Sequence, residues 1–354
     1  MKKGLFLGAA LAAVGVFTLA SCGGNGAAGG SKDVFIYNYA DTYIGSVRAK
    51  MAELDPELKF FDGNNSSEAQ NGQIDSAIAK GSGVLLINAV EPGAGKNLMN
   101  KAKNANVPVI FFNREVADDV VRGYDKACFV GTDPDEAGYM QGEMVAKEIL
   151  KNPSKWDKDN DKKINYVMLR ADLDNAEANG RTKYSVEKAK ELLEAEGYTL
   201  NRLGEDQMCS WATDKAKGAM DTLLTTYPFD GKDNNDIELV FANNDDMALG
   251  AITSLQAKGY NKADSDDAHK IMVVGVDATA TAQDAIAKGT MFGSIKQDGE
   301  AMATALVKLA ANAVNGNFKT AADFLTGTTY EWSKSLVDGK DVCKIRIPYA
   351  MYTK

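Results

Sequence analysis

Histidine and cysteine are scarce in this sequence, and their scarcity argues against several kinds of catalytic or metal site. The single histidine, His269, lies in the polar run ADSDDAHK, which is typical of a solvated loop rather than of a general base. The four cysteines include no CxxC pair, so neither a disulfide framework nor a thiolate metal site is predicted. We expect Cys128, Cys209 and Cys343 to be buried as small apolar residues.

An excess of positive charge and a phosphate-binding glycine turn are also absent. The net charge of -9 argues against a nucleic-acid partner, because phosphate binding needs a basic surface. No GxGxxG motif occurs, and EPGAGKN only partly matches a P-loop, since Val90 stands where the first glycine would be. No serine has a base in a recognisable place. We therefore predict that the chain is not an enzyme.

A long apolar run occurs only at the start of the chain. The short basic segment MKK precedes LFLGAALAAVGVFTLA, and the end of this run overlaps LASC (Leu19 to Cys22), which resembles the bacterial lipobox. A membrane-spanning helix is the alternative interpretation, but the run is short and ends in small residues. We predict a lipoprotein signal peptide at 1–21, a lipid on Cys22 and a flexible tether over 22–32. The body would then lie on the periplasmic side of a bacterial membrane.

From Val34 onward, apolar runs of strand length alternate with segments of helical period. VFIYNY, GVLLIN and VPVIFFN belong to one series, and INYVMLR, IELVFAN and KIMVVGVD to another. Near-continuous apolar strands separated by amphipathic helices indicate parallel sheets that are covered on both faces. The chain is long enough for two domains. The predicted fold class is α/β, with two doubly wound parallel-sheet lobes joined by a multi-segment hinge.

The lobes are predicted to be discontinuous, because one helix and one apolar segment remain after the second series. The segments are GEAMATALVKLAANAVNG and VCKIRIPYAMY. We assign residues 33–131 and 299–330 to the N-terminal lobe, and residues 132–298 and 331–354 to the C-terminal lobe.

Polar side chains follow the apolar runs in both halves of the chain. The residues at these positions include Asp41, Asn113, Asn244, Asp277 and Gln297. Each one alone could simply cap the next helix. Ligands of open parallel sheets bind beyond the carboxyl ends of the strands, so the recurrence predicts a cleft lined by amides and carboxylates. Such groups suit the hydroxyl groups of a neutral ligand.

Two aromatic residues fit the same cleft. Tyr43 follows Asp41 by two residues, and Trp211 lies in the polar stretch MCSWATDKAK. A sugar ring has apolar faces and hydroxyl groups around its edge, which flat aromatic rings and radial polar groups complement. Trp211 taken alone is equally well explained as a packing residue.

The stretch WDKDNDKKIN is similar to the first part of an EF-hand calcium loop. Loop positions 1, 3, 5 and 9 are filled by Asp157, Asp159, Asp161 and Asn165. However, Lys162 stands where the loop needs glycine, and Met168 stands where the bidentate glutamate belongs. The pattern alone leaves three interpretations open: a decayed loop, a solvated acidic turn, or a site completed from elsewhere in the chain.

Several segments together resemble the bacterial periplasmic glucose/galactose-binding proteins, which are type I sugar-binding proteins of ABC transporters. The segments are YNYADTYIGSVRAK, PVIFFNRE, YDKACFVGTD, LVFANNDDMALGA and VVGVDA, and the similarity extends from about Val34 to the C-terminus. The resemblance implies a monomer that closes its two lobes around a hexose. It implies delivery of the sugar to a membrane permease, with a chemoreceptor as a second candidate partner.

The resemblance also assigns the residues of the sugar site. It implies a ring sandwich of Tyr43 and Trp211, with a polar set of Asp41, Asn113, Asn175, Glu177, Arg181, Asn244, Asp277 and Gln297. The chain departs from the family at four of these positions. The family has phenylalanine at Tyr43, asparagine at Gln297, and histidine and aspartate at Asn175 and Glu177. The exact sugar is therefore open, and a binding protein for a pentose or a signalling molecule is the alternative.

For the acidic loop, the resemblance implies structural Ca²⁺ with a last ligand from a distant strand, here Glu238 of DIELVF. The implied ligands are Asp157, Asp159, Asp161, the carbonyl of Lys163, Asn165 and Glu238. All of them offer oxygen atoms, which calcium prefers as ligands.

A sugar-responsive repressor is a rival interpretation, because it shares the two-lobed architecture. However, this chain has an export signal where the repressor has its helix-turn-helix.

Overall fold

The computed structural model describes residues 30–228 and 236–354. The predicted signal peptide, Cys22 and the predicted tether up to residue 29 lie outside the described residues. Strand formation begins at Ser31, so the predicted tether boundary at residue 32 is two residues too far along the chain.

The described ranges contain thirteen strands. They are β1 (Ser31–Ile36), β2 (Lys59–Asp62), β3 (Ser82–Ile87), β4 (Val109–Phe112), β5 (Ala127–Gly131), β6 (Lys163–Arg170), β7 (Thr199–Arg202), β8 (Gln207–Met208), β9 (Leu239–Ala242), β10 (Met272–Asp277), β11 (Gly293–Gln297), β12 (Lys344–Arg346) and β13 (Tyr349–Thr353).

The same part of the chain contains eleven α-helices. They are α1 (Thr42–Leu54), α2 (Ser67–Ala79), α3 (Gly95–Asn104), α4 (Asp118–Arg122), α5 (Pro134–Lys151), α6 (Pro153–Trp156), α7 (Ala176–Glu194), α8 (Thr213–Thr226), α9 (Asp245–Ala257), α10 (Ala280–Ala287) and α11 (Gly299–Ala313). Among these helices, none combines the length and the apolar character that crossing a membrane requires.

The strands form two separate sheets. The first has the order β12-β5-β4-β3-β1-β2, and all its pairs are parallel. The second has the order β13-β11-β10-β9-β6-β7, with the short β8 paired to β6; β13 is antiparallel to β11 and the other pairs are parallel. The predicted α/β fold with two doubly wound lobes is confirmed.

Both faces of each sheet are buried. Successive side chains of a strand point to opposite faces, so each strand contributes to two apolar clusters. In β1, Phe35 packs with Ile74 on one face, whereas Val34 and Ile36 pack with Met51 on the other. In β9, neighbouring residues are divided in the same way between two apolar clusters. This double burial explains why the strands read as continuous apolar runs. Cys128 and Cys209 are buried and Cys343 is half-buried, all three as free thiols.

The chain crosses between the lobes three times within the described residues. The crossings are 132–133 between β5 and α5, residue 298 between β11 and α11, and 347–348 between β12 and β13. The first crossing is bonded to the residue that directly follows the third, since the hydroxyl groups of Thr132 and Tyr349 lie 2.8 Å apart.

The last apolar segment is divided between the lobes, which corrects the predicted boundary. The prediction placed all of 331–354 in the C-terminal lobe, but β12 pairs with β5 in the first sheet and only β13 joins the second. Pro348 separates the two strands and has no N–H with which to continue a ladder. The buried Lys344 pairs with Glu115 and Asp118 of the first lobe, each at 2.6 Å.

Candidate functional site

The carboxyl ends of strands from both sheets face a small cavity of about 40 Å³ between the lobes. All ten residues of the predicted sugar site line it, together with two further ones; the full lining is Tyr37, Asp41, Tyr43, Asn113, Arg114, Asn175, Glu177, Arg181, Trp211, Asn244, Asp277 and Gln297. The cavity continues into an outer cleft of about 790 Å³, with which it shares five lining residues. The shared lining gives a ligand a route from solvent to the inner cavity.

Three residues that line the cavity also cap helices. Asp41, Asn175 and Asn244 accept hydrogen bonds from the third residue beyond them, at 2.7, 2.9 and 3.0 Å. These bonds satisfy backbone N–H groups at the helix starts and hold each side chain in place. These three residues therefore both cap a helix and line the cavity, because a helix that starts just beyond a strand end also starts at the cleft.

Tyr37 and Arg114 are the two lining residues beyond the predicted ten, and Arg114 stands, like Asn113, just after the apolar run VPVIFF. The guanidinium of Arg114 lies 3.6 Å from the centre of the Tyr37 ring and donates to the carbonyl of Val90 at 2.7 Å. The hydroxyl of Tyr37 donates to Asp41. Arg114 lies two residues beyond β4, where the strand-end rule already points, and Tyr37 follows β1 directly, so the same rule could have found Tyr37 as well.

Helix α7 contributes two charged residues one turn apart, Glu177 and Arg181. Arg181 is buried and donates to the carbonyl of Asn243 at 2.8 Å, to Gln297 at 2.8 Å and to the hydroxyl of Tyr349 at 3.1 Å. Its Nη1 lies 3.8 Å from Oδ1 of Asp277. The bonds fix the guanidinium between the ends of β9 and β11, with Asp277 of β10 beside it.

Glu177 and Asp277 are buried carboxylates. Burial raises the pKa of Glu177, and the neighbouring Glu115 raises it further, while Arg181 opposes the shift. Burial likewise raises the pKa of Asp277 against the effect of Arg181. Neither oxygen of Glu177 has a hydrogen-bond partner among the described residues. The cavity therefore presents Glu177 as an acceptor that a ligand hydroxyl group can use.

The two aromatic residues approach the cavity from opposite lobes. Tyr43 lies in the first turn of α1 and is buried, with its hydroxyl 3.7 Å from the sulfur of Met302. Trp211 lies between β8 and α8 and is half-buried, at a φ of 65°. The guanidinium of Arg181 lies 5.7 Å from the centre of its ring. One aromatic residue from each lobe therefore lines the cavity, and the ring sandwich implied by the family resemblance stays a prediction.

Hydrogen bonds between described residues connect the lobes across the cleft. Thr42 at the start of α1 donates to Asp246 in the first turn of α9 at 2.8 Å. Near the crossings, Gln297 donates to Asn113 at 3.4 Å. Both bonds require that the lobes lie close together.

Part of the predicted calcium set lies together in the acidic loop. The carboxylates of Asp157, Asp159 and Glu238 have ligand atoms within 4.8 Å of one another. Glu238 directly precedes β9, and its two oxygens accept from the backbone N–H groups of Lys158 at 3.2 Å and Asn165 at 2.9 Å. Burial, with Asp159 and Asp157 nearby, raises the pKa of Glu238 to about 8. Crowded, partly buried carboxylates of this kind suit a divalent cation.

The loop keeps its tight turn although Lys162 replaces glycine. Lys162 has a φ of 60°, in the left-handed region that glycine adopts without strain. Its backbone N–H donates to Asp157 at 3.1 Å, and that of Asp161 donates to the other oxygen of Asp157 at 3.1 Å. The lysine therefore carries a conformational cost of about 1–2 kcal/mol without changing the course of the loop.

The other predicted ligands make protein contacts. Asp161 accepts from the backbone N–H of Lys163 at 2.7 Å and pairs with its Nζ at 3.3 Å. The buried side-chain oxygen of Asn165 accepts from Asn201 at 2.7 Å. Asp161, Lys163 and Asn165 remain predicted ligands, beyond the three grouped carboxylates.

His269 lies away from the cavity. Its side chain is exposed, and its Nδ1 lies 2.6 Å from Asp266 in the loop before β10. This position agrees with the solvated loop that the sequence predicted.

Residues 33–318 match the family described as periplasmic binding protein domain. The D-galactose/methyl-galactoside binding periplasmic protein MglB of Haemophilus influenzae is 33% identical over 357 residues, which covers 99% of this chain and 96% of that protein.

Solved structures share the fold. An ABC transporter solute-binding protein from Bacillus halodurans with bound myo-inositol has a TM-score of 0.66 and 25% identity, covering 92% of this chain and 95% of that one. A protein from Actinobacillus succinogenes with bound D-allose has a TM-score of 0.70 and 18% identity, covering 92% and 98%.

Proposed function

Because the chain belongs to the periplasmic binding protein family, we propose that it captures a hexose, glucose or galactose, and delivers it to an ABC sugar transporter. It acts in this proposal as a binding protein rather than as an enzyme. A second candidate is a binding protein for another small polar ligand, such as a pentose, a cyclitol or a signalling molecule. The variety of ligands among the similar structures favours keeping this second candidate.

The observation that carries the proposal is the composition of the interlobe cavity. It combines an aromatic ring from each lobe with amides, carboxylates and arginines. Apolar ring faces pack against aromatic side chains, and sugar hydroxyl groups donate to carboxylates and accept from amide and guanidinium groups.

Closure follows from the division of the lining between the lobes. Asp41, Tyr43 and Asn113 belong to the first lobe, whereas Trp211 and Asp277 belong to the second. A sugar can contact both sets only when the lobes are together, so it stabilises the closed state by that difference in contacts. The permease then recognises the closed form.

The sugar preference depends on the positions where the chain departs from the glucose/galactose pattern. Glu177 is one methylene longer than aspartate and reaches further from α7, and Gln297 is longer than asparagine. Gln297 is already engaged by Arg181 and Asn113, so its extra length serves the lobe contact. Asn175 keeps a polar group at the cavity where histidine would be. We expect these changes to alter the ranking of sugars and not the ligand class.

We also propose that Cys22 carries a lipid and holds the body on the periplasmic side of the membrane. The lipobox-like LASC and the glycine-rich segment after it support this proposal. A tethered body can reach a permease in the same membrane, and a chemoreceptor is the further candidate partner.

Structural Ca²⁺ is the proposed cofactor. The grouping of Asp157, Asp159 and Glu238, and the turn kept at Lys162, support it. Asp161, the carbonyl of Lys163 and Asn165 would complete the oxygen ligands that calcium takes. The ion would tie the loop before β6 to the start of β9 and so stabilise the second lobe, at the opposite end of its strands from the cavity.

Calorimetric titration with glucose, galactose, ribose and myo-inositol tests the proposal, using protein that lacks the signal peptide and Cys22. Micromolar or tighter hexose binding, with the sugar recovered unchanged, is the expected result. Preference for ribose or myo-inositol would favour the second candidate. Binding of none of the four, in calcium and in a chelator, would contradict a sugar-binding function.

A further inference from the structure

The turn that carries Asp277 into the cavity has an unusual backbone. Asp277 has a φ of 113° and the next residue, Ala278, a φ of 51°. Neither is glycine, so each conformation is strained and persists only where the surroundings hold it. The direction of the Asp277 carboxylate depends on this turn.

Two buried side chains from neighbouring elements hold the turn. Asp245, at the start of α9, accepts from the backbone N–H of Thr279 at 2.7 Å with one oxygen. Its other oxygen accepts from the hydroxyl of Ser294 in β11 at 2.6 Å. Ser294 in turn accepts from the backbone N–H of Ala278 at 3.0 Å. The two N–H groups that follow Asp277 are therefore fixed by a single carboxylate, directly or through Ser294.

Asp245 is not required as the cap of its own helix. The preceding residue, Asn244, already accepts from Met247 at the start of α9. The neighbouring strand leaves space for the carboxylate, because a Cβ at Gly275 would lie 2.4 Å from its Oδ1. Asp245 and Ser294 are both fully buried, and neither lines the cavity.

We propose that Asp245 is a positioning residue for the ligand site, acting through Ser294 and the 277–279 turn to aim Asp277 at the bound sugar. The inference rests on the proposed function for the identity of the ligand only. Asp245 itself does not touch the ligand. It sets the affinity by holding the one carboxylate in β10 that does.

Asp245→Asn tests this positioning role, because the substitution keeps the size of the side chain and removes one of its two hydrogen-bond acceptors. If its oxygen accepts from Thr279, its amide faces Ser294, whose hydroxyl proton then loses its acceptor. In the opposite orientation, the amide NH₂ group faces the backbone N–H of Thr279, and two donors then face each other. Either arrangement should release the turn. Ser294→Ala removes only the link to Ala278 and should have a smaller effect.

Asp33 offers a matched control. It is also a buried carboxylate that accepts from serine hydroxyls, those of Ser31 and Ser82, each at 2.5 Å. It lies near the start of β1, at the opposite end of its sheet from the cavity. Asp33→Asn should lower the thermal stability without changing the sugar affinity by more than about twofold.

The affinity experiment is calorimetric titration of these variants with the sugar that the wild type binds. We expect Asp245→Asn to weaken binding at least tenfold and Ser294→Ala at least threefold. In an Asp277→Asn background, adding Asp245→Asn should change the affinity by less than threefold, because the group it positions is gone. An unchanged affinity for Asp245→Asn, or the same loss in both backgrounds, would overturn the inference.

A crystal structure of ligand-free Asp245→Asn provides a second readout that needs no sugar. We expect Asp277 to leave its positive φ, or its carboxylate to move by more than about 1 Å relative to the wild type. If Asp245→Asn does not fold, Ser294→Ala takes its place. An unchanged turn would overturn the inference. If the wild type binds no sugar, the proposed function fails. The crystal structure of the ligand-free variant would still show whether Asp245 holds the 277–279 turn.

Discussion

Substituting glutamine for Glu177 tests whether the cavity keeps an unfavourable charge for the sake of its ligand. The side chain is 5% exposed, and neither of its oxygens has a hydrogen-bond partner among the described residues. Burial, and then Glu115, raises its pKa. Glutamine resembles the protonated acid in size and polarity, so the substitution removes the charge and little else. We expect Glu177→Gln to stabilise the ligand-free protein and to weaken sugar binding.

The ordinary pKa of the side chain limits the size of the effect. Glu177 can always escape the cost of a buried charge by taking up a proton, and from an ordinary pKa of 4.5 this costs at most about 3.4 kcal/mol at pH 7. Arg181 opposes the shift and lowers the cost. The free energy of unfolding should therefore rise near neutral pH, by less than this upper limit.

The gain should depend on pH in a defined direction. Because the pKa is raised in the folded state, the contribution of Glu177 to stability is fully present below pH 4.5 and is lost as the pH rises through the folded-state pKa. The variant has no such loss. The difference between variant and wild type should thus be close to zero near pH 4.5 and should grow towards neutral pH.

Urea unfolding of the ligand-free proteins, followed by tryptophan fluorescence near pH 4.5 and about pH 7.5, measures this difference. Glu187→Gln is the control, since Glu187 lies on the same helix and is exposed. Sugar affinity of Glu177→Gln should fall about tenfold or more, because a hydrogen bond to a charged acceptor is lost. Equal stability of variant and wild type at both pH values, or a less stable variant at neutral pH, would refute the reasoning.

Three further predictions concern the aromatic wall, the acidic loop and the lobe contact. Trp211→Ala should weaken sugar binding at least tenfold, or more than about 1.4 kcal/mol, in calorimetric titration; an unchanged affinity would remove Trp211 from the site. Asp157→Ala should lower the thermal midpoint in calcium to that of the chelator-treated wild type, with nearly unchanged sugar affinity. A midpoint that does not change with calcium in either protein would contradict calcium binding. Thr42→Val should weaken binding about two- to fivefold, because the bond to Asp246 forms only when the lobes meet; no change would mean that this bond does not favour closure.

Much of the fold could be predicted from the sequence, because strands buried on both faces leave a clear pattern. Runs such as VFI in β1 and LVFA in β9 are apolar at every position and alternate with helical segments. The pattern does not say which sheet a strand joins. VCKIRIPYAMY reads as one strand, but its first half joins the first lobe through long-range contacts, which include the ladder of β12 with β5 and the pairing of Lys344 with Glu115.

The site was predictable to the extent that its residues follow strands. Asp41 and Asp277 stand at or just beyond strand ends, where the topology of parallel sheets concentrates ligand contacts. Glu177 and Arg181 lie inside a helix, where charged residues usually face solvent, so their places came only from the family resemblance. Glu238 likewise meets the acidic loop through the pairing of β6 with β9, which local spacing does not encode.

Strands β12 and β13 give the order of chain synthesis a structural consequence. Each is an edge strand, one completing the first sheet beside β5 and the other completing the second beside β11. A chain that emerges from its N-terminus therefore carries two unfinished sheets until residues 344–353 arrive. Both lobes reach their final form at the same late moment, and until then the chain lacks the pairing that would close either sheet.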